Sequence, residues 1–222
     1  IPAQLMPDPA VMVADLFGQR IHESANQGEV AAVRSRFPGG YLALQFSAEF
    51  GDDATLARLA AEVGSAATAA GLGVVLFRAG AAPWHDDLDT LRRMAARLPP
   101  TQVHVFASLD LWRVCALVAH SRGYCGSSLH GRIVAMAFAR PRVNLRLPAP
   151  AAGADGPAPA DKPAAFAATW DRPEVPRSVE PGTAAHGIQQ ALAADPARLQ
   201  SLAKDLVREG RRSFEAIRQS LS

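Results

Sequence analysis

Two hydroxyls and an imidazole, Ser127, Ser128 and His130, fall together inside the run GYCGSSLHGRIVAMAFARPRVNL at 123–145. Small residues let a backbone pass close to a ligand. The polar groups sit where a helix is predicted to begin. A helix N-terminus offers unpaired N–H groups and partial positive charge. Such a place suits a phosphate or a carboxylate. The plainer part for the same residues is structural: Ser127 or Ser128 caps the helix, and His130 is a surface residue of its first turn.

The flanking residues say how the turn is held. Tyr124 and Cys125 read as a short strand, and 131–139 reads as an apolar helix stopped by Arg140-Pro141, since proline cannot continue it. Val143, Leu145 and Leu147 then alternate with polar residues, as a strand does. Upstream, Asp8-Pro9 predicts a helix start, with Val11, Met12, Leu16 and Phe17 on one apolar face. The stretch 23–36 is polar and helical in part, and Phe37-Pro38-Gly39-Gly40 is a turn cluster. Strands follow at 41–46, 72–77 and 103–106. Helices are predicted at 52–70, 88–98 and 110–120, the last with Leu111, Val114, Cys115 and Val118 inward. The segment 148–163 is rich in Pro, Ala and Gly and buries little. The segment 166–181 reads as irregular, 183–193 as a helix, and 195–220 as a last helix with Leu199, Leu202, Leu206, Phe214, Ile217 and Leu221 inward. Its Arg208, Arg211, Arg212 and Arg218 read as a solvated face.

Five short strands alternating with four helices predict an α/β fold: a Rossmann-like parallel sheet of about five strands with helices on both faces, plus C-terminal helices. The implied divisions are a helical lead-in at 1–40, the α/β core at 41–147, a Pro/Ala-rich loop at 148–182 and C-terminal helices at 183–222. Ligands of open parallel sheets bind outside the carboxyl ends of the strands, where strand order reverses. By that rule the candidate site draws on Gln45 and Ser47, on the loop 78–87 with Arg78, His85 and Asp86, on the turn 107–110, and on 126–132.

Composition narrows the class. With 222 residues and 49% hydrophobic content the chain can bury a real core. A net charge of +2 and the lack of a long basic run argue against nucleic acid as a partner. Cys115 and Cys125 lie in apolar segments and read as core residues; the six His are scattered, and no metal cluster is expected. No apolar run reaches the length of a membrane span, no stretch has the make-up of a signal peptide, and a start at Ile1 reads as the start of an excised piece. The turn after the first strand, Ser47-Ala48-Glu49-Phe50-Gly51, carries no G-x-G-x-x-G fingerprint. Neither a P-loop nor a G-x-S-x-G elbow occurs. These absences weigh against a nicotinamide enzyme, a P-loop enzyme and an ordinary serine hydrolase.

Three segments carry a resemblance. The run CGSSLHGRIVAMAFARPRVNL with its Ser128-Leu129-His130 triplet, the loop RAGAAPWHDD ending in His85-Asp86-Asp87, and DPAVMVADLF opening at Asp8 resemble the polysaccharide pyruvyl transferase family. The resemblance covers about residues 7–147 and implies the second, C-terminal lobe of a two-lobed architecture similar to the GT-B glycosyltransferases. It implies transfer of a pyruvyl group from phosphoenolpyruvate to two hydroxyls of a sugar, with no cofactor beyond that donor. The donor's phosphate and carboxylate need cations and N–H groups, which Arg132, Arg78 and the helix start after Ser128 could supply. An imidazole can move the protons near neutral pH. His130 is the first catalytic candidate. His85 is the second, beside Asp86 and Asp87; one of those two carboxylates has the alternative part of starting the helix at Leu88. Ser127, Ser128, Gln45, Ser47 and Asp86 complete the expected substrate-binding set.

The chain departs from the family at Ser128, where many members carry Arg, and by lacking the first lobe with its Gly-Asn-rich loop. Alone it is therefore expected to turn over poorly. The implied acceptor is a glycan, free or lipid-linked, and the implied place is the cytoplasm or the inner face of the membrane. The rival readings are a GT-B glycosyltransferase lobe that binds a nucleotide sugar, and a non-catalytic binding lobe.

Overall fold

The structure is a computed structural model that describes residues 5–82, 85–148 and 161–220. Asp8 starts the first element as its sequence predicts: its carboxylate accepts the Ala10 N–H at 2.8 Å, Pro9 opens the 3-10 turn Pro9–Met12, and helix α1 (Val13–Ser24) continues it. Helix α2 (Gly28–Arg36) leads to strand β1 (Tyr41–Gln45). Helix α3 (Asp53–Ala70) is capped by Asp52 and closed by Gly71 at φ 66°, which only glycine adopts cheaply. Then come β2 (Gly73–Leu76), α4 (Leu88–Ala95), β3 (Val103–Val105), α5 (Leu111–Ala119), β4 (Gly123–Gly126), α6 (Leu129–Ala137) and β5 (Arg142–Leu145). Helix α7 (Lys162–Trp170), strand β6 (Ser178–Val179), α8 (Ala184–Leu192) and α9 (Pro196–Ser220) follow.

The six strands form one parallel sheet in the order β3-β2-β1-β4-β5-β6. Successive strand residues face opposite sides. Leu42 and Leu44 meet Leu56, Leu59, Val63 and Ile188 from α3 and α8. Tyr41 and Ala43 meet Ile21, Val30, Val33, Leu117 and Val118 from α1, α2 and α5. A third apolar group joins Val11 and Met12 to Ile133 and Met136 of α6 and Leu202 and Leu206 of α9. The two thiols are core groups: burial pushes Cys115 up to about 11 and Cys125 up to about 12, so neither is a thiolate at neutral pH.

Four expectations need correction. The sheet has a sixth strand, and 166–181 is ordered: Asp161 caps α7 on the Ala164 N–H, and β6 pairs with β5 at Asn144 and Leu145. Within the expected loop 148–182 only 149–160 lies outside the described residues. Leu111, Phe214 and Ile217, expected inward, are exposed, and so are Leu16 and Phe17, expected on one apolar face. A stripe on a helix says which face is apolar, not whether a neighbour covers it. Phe17 meets the Trp112 ring, at 5.3 Å between centroids, and Leu221 lies outside the described residues. Finally, Arg142 and Asn144, the polar alternates of β5, are fully buried.

One backbone position carries strain. Ala139, just past the end of α6, sits at φ 52°. Ala139→Gly is expected to raise stability by about 0.5–1 kcal/mol, since glycine takes that conformation without a Cβ penalty. Urea unfolding measures it; an unchanged midpoint contradicts the strain.

Candidate functional site

Strand order reverses between β1 and β4, and their carboxyl ends sit side by side: Gln45 is in register with Gly126. The turn leaving β4 is stitched to β1. The Ser127 N–H donates to the Gln45 carbonyl at 3.1 Å, and the Ser128 N–H donates to the Gln45 side-chain Oε1 at 2.9 Å. In return the Ser47 N–H donates to the Ser127 Oγ at 3.0 Å. Ser128 Oγ accepts the Gly131 N–H at 3.2 Å, so it is the cap of α6. Both hydroxyls are thus engaged in structure, while Ser127 and Ser128 stay half-buried at the mouth. Gln45 is fully buried, and its Nε2 has no partner among the described residues.

The glycines of the turn serve the chain's own packing. A Cβ on Gly126 would collide with the Gln45 carbonyl and the Tyr124 hydroxyl, and one on Gly131 with the same hydroxyl. Tyr124 Oη is held at 3.1 Å from the Ser128 carbonyl, and burial raises its pKa far above the ordinary phenol. Gly126→Ala, in a central strand with backbone as the obstacle, is expected to cost about 3 kcal/mol. An unfolding curve superposable on the parent's would refute this.

His130 stands at the open end. It is the second residue of α6, its side chain is 70% exposed, and its Nε2 lies 3.7 Å from Asp8 Oδ2. His85 is 46% exposed in its side chain, with Nδ1 3.5 Å from Asp86 Oδ1. The His85 carbonyl accepts the Ala48 N–H at 2.9 Å, which brings the loop after β2 onto the turn after β1. Asp86, expected to bind substrate, closes its own loop: its Oδ2 accepts the Ala82 N–H at 3.2 Å, and it packs on Gly80. Asp87 caps α4 by accepting from the N–H groups of Asp89 and Thr90. The bond from Thr90, chiefly from its hydroxyl, holds the Asp87 carboxyl below its ordinary value.

Two expected cations are placed otherwise. Arg78 donates to the Ala107 carbonyl at 3.1 Å and ties the loops after β2 and β3 together. Arg132, expected as a phosphate ligand, is fully buried, and its N–H groups are taken up by Asp171, Asn144 and the carbonyls of Pro176 and Arg177. It touches no open surface. The turn 107–110 is also filled from within. Glu29 at the start of α2 accepts the N–H groups of Ala107 and Ser108 at 2.9 and 3.1 Å, and pairs with His104 at 3.2 Å. With Arg132 and the N–H groups of Ala107 and Ser108 occupied, the candidate anion site is the N-terminus of α6, between Ser127, His130 and Ser47; Arg78 keeps N–H groups beyond the one bonded to Ala107. Among the described residues no group of three His, Cys, Asp or Glu side chains could hold a metal.

Sequence reasoning missed Glu29, Arg142, Asn144 and Asp171. A signal existed only for two of them: a charged residue and an amide inside a strand with apolar neighbours on both sides need buried partners.

No family model matches the chain, and no curated protein matches it. Solved structures do. A UDP-forming alpha,alpha-trehalose-phosphate synthase from Burkholderia xenovorans superposes with a TM-score of 0.56 at 14% identity, over 93% of this chain and 48% of that one. The alpha,alpha-trehalose 6-phosphate synthase from Burkholderia multivorans gives 0.60 at 14% identity, over 98% and 50%. That of Burkholderia vietnamiensis gives 0.54 at 15%, over 98% and 51%. In fold, this chain is one GT-B lobe. At such identity the likeness speaks for the fold alone, and the chain spans about half the length of the structures it matches. None of these comparisons supports the resemblance to the pyruvyl transferases, which has only its three sequence segments behind it.

Proposed function

We propose that this GT-B lobe holds the phosphate-bearing donor of a transferase that acts on a sugar acceptor. The observation that carries the reading is convergence. Asp8 meets His130, Ser127 meets Ser47, and His85 meets Ala48, all at the carboxyl end of the sheet where strand order reverses. There the unpaired N–H groups of α6 favour a phosphate, and His130 is free to contact it or to move a proton.

The solved neighbours support a nucleotide sugar as donor, two of the three named above being UDP-forming. The leaving diphosphate would then be stabilised at α6. The Ser128-Leu129-His130 triplet, with Asp8 and His85 gathered at the same mouth, supports phosphoenolpyruvate as the second reading. In that reaction the enol CH2 gains a proton, the central carbon gains two bonds to sugar oxygens, and the bond to phosphate breaks. Of the two hydroxyl protons one ends on the new methyl group and the other on phosphate or water. A free or lipid-linked glycan acceptor, a second lobe completing the cleft and a cytoplasmic position belong to the same proposal. No helix among the described residues is long and apolar enough to cross a membrane.

Thermal unfolding with UDP-glucose, phosphoenolpyruvate and pyrophosphate tests the proposal. A ligand at about 100 times its Kd adds about 2.7 kcal/mol to stability. Protection by UDP-glucose alone selects the nucleotide sugar, and protection by phosphoenolpyruvate alone selects pyruvyl transfer. No protection by any of the three defeats the donor site.

A further inference from the structure

Behind the mouth lies a cluster of three buried charges. The side chains of Arg132 and Arg142 are 0% exposed and that of Asp171 is 1% exposed. Arg132 donates Nη2 to Asp171 Oδ2 at 2.6 Å, and Arg142 donates Nη2 to Oδ1 at 2.5 Å. Two guanidinium groups share one carboxylate, so one positive charge is left over inside the protein. Among the described residues no second carboxylate bonds to either guanidinium: the other acceptors are the carbonyls of Arg140, Pro176 and Arg177 and the side chain of Asn144.

Asn144 joins this cluster to the turn. Its Oδ1 accepts from Arg132 Nη1 at 2.8 Å, which fixes which way the amide points. Its Nδ2 therefore faces the turn and donates to the carbonyls of Gly126 at 2.7 Å and Ser128 at 3.4 Å. Those carbonyls are drawn inward, away from the mouth. On the β1 side Gln45 takes the Ser128 N–H by its Oε1, and its buried Nε2 has no partner among the described residues.

We infer that Arg132, Arg142 and Asn144 are an electrostatic backing for the α6 N-terminus: the surplus buried charge and the inward-held carbonyls tune the turn for a dianionic phosphate. Arg132 and Asn144 act as positioning residues that never touch the ligand. The inference rests on the proposed donor site. It goes further in assigning the site's anion preference to groups with no surface at the mouth. A buried charge is screened far less by salt than a surface arginine, so its effect should persist at high ionic strength.

The test is titration of the 15N-labelled chain with inorganic phosphate and pyrophosphate at low temperature. The amide shifts of Leu129, His130 and Gly131 are followed in 0.05 and about 0.5 M salt, which spans strong and weak screening of exposed charges. Arg142→Gln removes the surplus charge and should weaken phosphate binding about fivefold or more at both salts. Arg142→Lys keeps the charge and should bind at least about threefold more tightly than Arg142→Gln. Asn144→Asp cancels the surplus, leaves an oxygen for Arg132 and removes the donor to the carbonyls; it should weaken binding as Arg142→Gln does, and it decides the matter should Arg142→Gln not fold. If the parent shows no saturable shift, the donor site and its backing fall together. If the parent binds and Asn144→Asp binds equally, or if Arg142→Lys and Arg142→Gln lose affinity alike, the backing alone is overturned.

Discussion

Asp171→Asn is expected to lower the unfolding free energy by about 3–5 kcal/mol, because it leaves two buried guanidinium groups with no counter-charge. For a chain of this size the melting point should fall on the order of 10 °C. Asp171 accepts four bonds from Arg132 and Arg142 and one from the Arg172 N–H. These bonds tie α6 and β5 to the segment that carries α7 and β6. The loss also has a signature in pH. Burial pushes the Asp171 carboxyl up, but the bonds and charges of Arg142 and Arg132 outweigh it and leave its pKa below the ordinary value of 3.8. A carboxyl depressed in the folded state adds stability that is whole above the unfolded value and is lost as the pH falls through the folded one. The parent should therefore lose this contribution below about pH 3.8, and the gap between parent and Asp171→Asn should shrink there. Urea unfolding at pH 7 and pH 3 measures it. A cost under about 1 kcal/mol at pH 7 would mean that the cluster is not the clamp described here.

His130→Ala is the second large effect, and it falls on function. The side chain is 70% exposed at the start of α6, so its removal should change stability by no more than about 0.5 kcal/mol. Transfer should fall by about 10²–10⁴, the usual size of a positioned acid or base. The assay follows release of phosphate or of the nucleotide with the donor that thermal protection selects. Because the chain spans about half the length of the structures it matches, the comparison is best made with a second lobe supplied; the chain alone should turn over slowly. A variant that keeps the parent's rate removes His130 from the chemistry.

The mechanism places unequal demands on the candidates. His130, beside Asp8, and His85, beside Asp86, are the proposed imidazoles. Ser127 and Ser128 shape the turn, and Asp86 and Asp87 shape the loop and helix opposite. Leu109 and Leu111 stand exposed beyond β3, and Phe214 and Ile217 stand exposed on the last turns of α9.

Local chemistry was readable wherever the deciding partner lies within a few residues. Asp8-Pro9 and Asp87 cap their helices as their types and positions imply, because a cap is settled by N–H groups two or three residues on. The alternation of apolar strands and striped helices was enough to establish a parallel α/β sheet. What depends on distant partners was decided only by folding. An arginine two residues after a histidine in a ligand-like turn reads as a ligand. Its partner Asp171 is 39 residues further on, past β5 and at the end of α7, and only packing brings the two together. Phe214 and Ile217 differ from Leu202 and Leu206 in nothing but the presence of a neighbour. Periodicity reports the face of a helix; burial is a property of what packs against it, and no single segment contains that information.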